Sequence, residues 1–275
     1  MILKKLKLKH LKNYIKNYFF NTKFYSIFLL SPIKNKDWNK KSYTKSHFSK
    51  GKDYHKKFDN FPGRKIIWEL EKKIINELIK KYKIKNINSY LDFACGTGRV
   101  AKFLEKKNYK QYLLDSSPKM LNYAKTILKK STFVNKDFTK IKNLQNKFDL
   151  ITAFRFFPNA EPHLRKKAMK FISKSMKKDA ILIFNNHRNF WSLPYLIKRL
   201  TFRSDGFGMT HREVTKLIQS NNLTMCEYKS VGLITDKEKG VFIIWRLIGI
   251  FERILFSLYS NHRFGYNIIY IVKKC

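Results

Sequence analysis

The stretch NSYLDFACGTGRVA, residues 88–101, limits what this chain can fold into more than any other. Tyr90 through Ala94 reads as the end of a buried strand, Cys95 through Gly98 as a tight turn, and Arg99 through Leu104 as the opening of a helix. Two glycines two residues apart bring the backbone close to a ligand with no Cβ in the way. The helix that starts there points its free N–H groups into the same space. That unit predicts a cofactor pocket.

The chain around it repeats the same alternation. Strands are expected at 88–94, 110–115, 131–136, 149–154 and 180–186, with helices at 99–107, 117–129 and 161–177 between them. Strands alternating with helices over short connections predict a doubly wound, mostly parallel sheet covered on both faces, with its ligand beyond the carboxyl ends where strand order reverses. Asp92, Asp115 and Asp137 all fall at such ends. Residues 222–235 read as a sixth strand and 266–272 as a seventh.

The pattern Gly96-x-Gly98-x-x-Ala101, with Asp115 further along, also satisfies the dinucleotide fingerprint. The charge of Asp92 argues the other way. An acid at the strand end, four residues before the first glycine, repels a pyrophosphate but attracts an α-ammonium or a sulfonium, so a cationic cofactor is favoured.

Beyond the turn, LLDSSPKMLNYAK (113–125), FVNKDF (133–138) and KFDLITAFRFF (147–157) follow in order. Together with LDFACGTGR these segments resemble the ordered motifs of the class I S-adenosylmethionine-dependent methyltransferases, over about residues 85–190. The resemblance implies a seven-stranded Rossmann-like sheet whose last strand is antiparallel between the fifth and sixth, and S-adenosyl-L-methionine as cofactor. It implies a cofactor set of Asp92, Ala94, Gly96 and Gly98 at the turn, and of Asp115 on the ribose hydroxyls with Ser116 and Met120 in the same segment. Asp137 is expected at the adenine amino group and Phe138 beside the ring. Ala94 stands where many members have the first glycine. In related enzymes a segment before the first helix closes over the cofactor; Tyr54, His55, Phe58 and Arg64 are its candidates here, Arg64 for the cofactor carboxylate.

After the fourth strand comes AFRFFPNAE (153–161). The Asn-Pro-Pro-aromatic motif used for N-methylation of bases or glutamine would belong there and is absent, as is a Pro-Cys pair for methylating a pyrimidine ring carbon. A small-molecule, glycan or lipid-linked acceptor is therefore expected; an RNA acceptor or a non-catalytic cofactor binder is the alternative. Arg155 is expected to face cofactor or acceptor, with Asn159 and Glu161 capping the next helix. The fifth strand ends in Asn185-Asn186-His187, and His187 is the candidate general base for a hydroxyl acceptor because its pKa lies near neutrality. A bland alternative is a loop histidine bonded to backbone. Methyl transfer can also run on alignment alone, since the sulfonium is already activated.

The chain of 275 residues has a formal charge of +40, with 48 lysines against 11 arginines. A basic surface suits nucleic acid or an anionic membrane; the shortage of arginine weighs against bidentate phosphate reading, so nucleic acid is the less favoured partner. Cys95, Cys226 and Cys275 have no metal-ligand or disulfide spacing, and no metal site is expected. Two regions are divided here: residues 1–50 as a basic amphipathic extension, and 51–275 as the catalytic domain. Residues 1–36 hold nine lysines and no acid, a composition that fits an anionic bilayer or a helix packed on the domain. Neither a cleavable signal nor a spanning run is read there, so a cytoplasmic protein is expected, with association on the cytoplasmic face of a membrane as one of the two readings of its basic extension.

Three further readings concern decoration. Pro62-Gly63 reads as a loop, with Arg64 opening a helix whose inner face is Ile66, Ile67, Leu70, Ile74, Ile75 and Leu78 and whose outer face includes Glu69, Glu71, Lys72 and Lys73. Residues 188–209 read as a lid on the acceptor side, followed by a Thr210/Glu213 capping box. Residues 240–260 read as an amphipathic insertion before the last strand, with Phe242, Trp245, Ile248, Phe251 and Leu255 on one face and Arg246, Glu252 and Arg253 on the other.

Overall fold

The computed structural model of the protein describes residues 55, 61–82, 87–105, 109–200, 208–233 and 242–274. The expectations for residues 1–50, for Tyr54 and Phe58, and for positions 201–207 of the lid lie outside them. The described elements, in chain order, are α1 (Pro62–Lys81), β1 (Ser89–Phe93), α2 (Arg99–Leu104), β2 (Lys110–Asp115), α3 (Pro118–Ile127), β3 (Ser131–Asn135) and β4 (Phe148–Ala153). They continue with α4 (Pro162–Ser175), β5 (Met176–Asn186), α5 (Leu193–Leu200), α6 (His211–Gln219), β6 (Leu223–Val231), α7 (Phe242–Tyr259) and β7 (Asn267–Lys274).

The strands form one sheet in the order β3-β2-β1-β4-β5-β7-β6. β1 to β5 are parallel, whereas β7 runs antiparallel between β5 and β6. Strand order reverses between β1 and β4, which pair with Asp92 opposite Thr152, so the crevice of the fold opens beside Asp92.

Strand periodicity divides the core in two. Leu91, Phe93, Ile151, Leu182, Phe184 and Tyr270 face α4 and α6, while Tyr90, Leu113, Leu150, Ile183, Ile269 and Ile271 face α1, α2 and α3. Adjacent residues of one strand go to opposite layers because successive side chains alternate across the sheet. Burial on both sides explains the near-continuous apolar runs of β4, β5 and β7.

Four local expectations change. Pro62 is the first residue of α1, not part of a loop before it: proline's fixed φ suits the first helical position, where its missing N–H has no intrahelical partner to lose. β5 begins at Met176, where a helix to 177 was expected, because Phe148 of β4 pairs with Met176 and the N–H of Lys147 donates to the Ser175 carbonyl at 2.9 Å. Glu161 precedes α4 without capping it, and the Asn159 side chain donates instead to the Arg155 carbonyl at 2.7 Å. The capping box at Thr210 and Glu213 forms as expected.

α7 is rotated relative to its expected faces. Glu252 is turned inward and accepts a hydrogen bond from the Leu233 N–H at 3.1 Å, while Phe251 is exposed. The helix packs on α1, where Gly249 lies against Ile66 and Arg253 pairs with Glu69 at 2.7 Å.

Candidate cofactor and acceptor site

The chain leaves β1 through a turn in left-handed backbone. Ala94 has φ 50°, Gly96 φ 56° and Gly98 φ 73°, values that L side chains adopt at a cost. The Cys95 N–H donates to the Leu114 carbonyl at 3.1 Å and the Gly98 N–H to the Cys95 carbonyl at 3.0 Å.

The two glycines are there for different reasons. A Cβ on Gly98 would sit 2.8 Å from Leu128 Cδ1 and 3.2 Å from Ala124 Cβ, so Gly98 lets the turn pack against α3. A Cβ on Gly96 would meet no heavy atom within 4 Å. Open space on that side of the backbone is where a ligand fits.

Asp115, at the end of β2, fastens the turn. Its carboxylate accepts from the Gly96 N–H and from the Ser117 N–H, each at 2.8 Å. Burial raises its pKa, opposed by the N–H groups of Ser117, Gly96 and Ser116. Ser117 then caps α3, accepting from the N–H of Met120, whose side chain is buried. Asp137 sits just past β3 and caps a short 3-10 turn, accepting from the Thr139 N–H and hydroxyl at 2.9 Å each. Phe138 packs edge-on to Phe93 at 5.2 Å between ring centroids.

Asp92 lies beneath the turn, 2% exposed. One oxygen accepts from the Ala101 N–H in α2 and the other from the Thr152 hydroxyl, which also meets the Tyr90 hydroxyl at 2.6 Å. Burial pushes its pKa up to about 7 against the pull of Thr152, Ala101 and Arg99. Burial likewise raises the Cys95 thiol, with Asp115 and Asp92 adding to it, which leaves Cys95 a poor nucleophile.

From the segment before α1, His55 reaches the turn: its Nδ1 lies 3.0 Å from the Thr97 hydroxyl and its ring 4.7 Å from that of Tyr123. Arg64 is in the first turn of α1, its guanidinium 5.7 Å from the Phe61 ring centroid.

A buried polar chain links these parts, and most of it was missed in the sequence. Glu71, expected on the outer face of α1, is 0% exposed. Its carboxylate pairs with Arg99 Nη1 at 3.1 Å and accepts from the side-chain amides of Asn267 at 2.7 Å and Asn185 at 3.3 Å. Arg99 lies flat on Trp68, 3.8 Å from the ring centroid. The Asn185 side-chain oxygen accepts from the Arg155 N–H at 2.6 Å. Glu71 comes four residues after Ile67 and three before Ile74, a phase that places it on the apolar stripe; charge alone hid it.

Arg155, directly after β4, has φ 62°. Strained backbone of this kind is kept only where its surroundings fix it, here the Asn185 and Asn159 side chains. His187 follows β5 and is buried at 5% exposure, beside Asn186, whose amide donates to the Met209 carbonyl at 2.8 Å. Asp92, Ala94, Gly96, Gly98, Asp115, Ser116 and Asp137 thus line the carboxyl ends of β1, β2 and β3, and Arg155 and His187 those of β4 and β5.

Residues 91–179 match the family model described as a methyltransferase domain. Over those residues the chain is similar to a methyltransferase domain, and the sheet around them has the Rossmann-like methyltransferase fold. Three solved structures share its fold. The plantazolicin methyltransferase BpumL in complex with SAH is 16% identical, with a TM-score of 0.54 over 86% of this chain and 96% of that one. An S-adenosylmethionine-dependent methyltransferase from Clostridium acetobutylicum is 18% identical, with a TM-score of 0.51 over 74% and 90%. Another from Methanosarcina mazei is 16% identical, with a TM-score of 0.51 over 68% and 92%. Among curated proteins, none matches the sequence. The open space at Gly96, between the ends of β1 and β2, is where the S-adenosylmethionine expected from the sequence would lie.

Proposed function

We propose that this methyltransferase acts on a small-molecule, glycan or lipid-linked acceptor that enters beside the ends of β4 and β5. The observation that carries the proposal is the backbone of Arg155, held at φ 62° by Asn185 at the end of β4, the strand that pairs with β1. A strained turn fixed by a buried amide is a device for aiming one side chain at a ligand. The fold relative BpumL is a plantazolicin methyltransferase, consistent with acceptors other than nucleic acid.

Within this reading Ala94, Gly96 and Gly98 shape the wall against which the cofactor lies, and Asp92 keeps α2 in place behind it. Asp115 takes the ribose hydroxyls with its remaining lone pairs, beside Ser116 and Met120. Asp137 and Phe138 hold the adenine, and Arg64 the carboxylate. Bound S-adenosylmethionine supplies an electrophilic methyl group on sulfur. Arg155 orients the acceptor, and His187 takes the proton if the acceptor atom is a hydroxyl oxygen. His187 is buried at the end of β5, at 5% exposure.

Comparative metabolite and lipid profiling of cells with and without the protein tests the acceptor class. A product one methylene heavier than its precursor, present only with the protein, is expected in the small-molecule or lipid fraction. Methyl incorporation into RNA instead would overturn the reading. For an oxygen acceptor, His187→Asn should lower kcat by about 10²–10⁴-fold with little change in cofactor affinity; an unchanged kcat would remove His187 from the mechanism.

A further inference from the structure

We propose that the outward face of α7 is a docking surface for an anionic lipid bilayer. The inward face of this helix is occupied by α1: Gly249 meets Ile66, Phe256 lies under Lys73 with Nζ 5.3 Å from the ring centroid, and Glu252 is buried. Opposite these, Leu247, Ile250, Phe251, Ile254 and Leu258 are 55%, 45%, 58%, 49% and 66% exposed. At 100° per residue they fall within a single arc about 100° wide, a continuous apolar stripe along the helix. Phe264, 60% exposed, lies beyond the end of the helix. Ordinary soluble surfaces scatter such residues singly, so a stripe of this length marks a contact site.

Charge selects the occupant. Exposed Lys73 lies along the seam between α1 and α7, where Arg253 is paired with Glu69, and exposed Arg263 follows the helix. The whole chain carries +40. A second copy docking through this face would bring like charge against like charge, whereas an anionic headgroup layer neutralises it. No described helix is long and apolar enough to cross a membrane. α7 therefore lies in the interface plane, its stripe among the upper acyl chains and its basic flanks among the headgroups.

The proposal is independent of the acceptor reading, because binding is scored without turnover. The test is co-sedimentation of the full chain with vesicles of phosphatidylglycerol mixed with phosphatidylcholine, and with vesicles of phosphatidylcholine alone. Phe251→Ser combined with Leu258→Ser is the key variant, and since both side chains are exposed its thermal midpoint should match the wild type. The wild type should bind the anionic vesicles, and the double variant at least about tenfold more weakly, since two large apolar side chains no longer enter the interface. Equal binding by the two proteins would overturn the proposal, and so would no binding by either. Dimerisation or RNA binding abolished by the same substitutions, with vesicle binding intact, would also overturn it.

Discussion

At the scale of single residues, Gly96 and Gly98 offer a separation of binding from stability. Gly98→Ala forces a Cβ against Leu128 Cδ1 at 2.8 Å in left-handed backbone, so its expected effect is a loss of stability of about 1–3 kcal/mol, read as a lower thermal midpoint. Gly96→Ala meets nothing in the protein and should cost only the backbone preference, about 1–2 kcal/mol, while its methyl occupies the cofactor's space. Calorimetry should show weak or absent S-adenosylmethionine binding in Gly96→Ala at a temperature where it is still folded.

Asp92 gives a pH prediction. Burial holds its pKa at about 7 in the folded protein, well above the ordinary range of an aspartate, so folding favours the protonated acid. Stability from this group is full below the unfolded pKa and is lost as pH rises from about 4 through about 7. Asp92→Asn keeps the shape, with its oxygen still able to accept from the Ala101 N–H. Its denaturant midpoint relative to wild type should rise over that window and level off above it, by on the order of 4 kcal/mol as an upper limit. A difference independent of pH would contradict the account. Arg99 and two side-chain amides surround the buried carboxylate of Glu71. Glu71→Ala leaves Arg99 without that partner in a nearly dry site and should cost about 3–5 kcal/mol.

At the scale of elements, α6 depends on its cap. Thr210→Ala removes the side-chain half of the capping box and should lower stability by about 1 kcal/mol, with Thr210→Ser restoring most of it. This cap, the strand-turn-helix at 88–101 and the three aspartate-bearing strand ends could be read from the sequence, because local residue types fix them. The parts that could not be read are those decided by distant partners. Helix pattern carried α4 past Ser175, but pairing with β4 drew Met176 into the sheet. The charge of Glu71 marked it as surface, although Asn185 and Asn267, more than a hundred residues away, complete its bonds. For α7 the spacing separates an apolar from a charged face but not which side packs inward, and Glu252 is turned in because its partner is the Leu233 backbone N–H.

At the scale of the whole molecule, one sheet gathers the candidate residues along its carboxyl edge. The ends of β1, β2 and β3 carry the glycine turn and the three aspartates, those of β4 and β5 carry Arg155 and His187, and the Glu71–Asn185–Arg155 chain ties the two sides through the core. The chain's net charge of +40 acts on partners through solvent, where salt screens it. Cofactor affinity, set in the crevice, should therefore change little with ionic strength, whereas binding to anionic vesicles should weaken steeply. The most direct test of the central claim is calorimetric titration of the purified chain with S-adenosylmethionine, its demethylated product and NADH, alongside Asp115→Ala. Saturable binding of the first two, none of NADH, and loss of both signals in Asp115→Ala is the predicted result; uptake of NADH with no response to S-adenosylmethionine at millimolar concentration would contradict it.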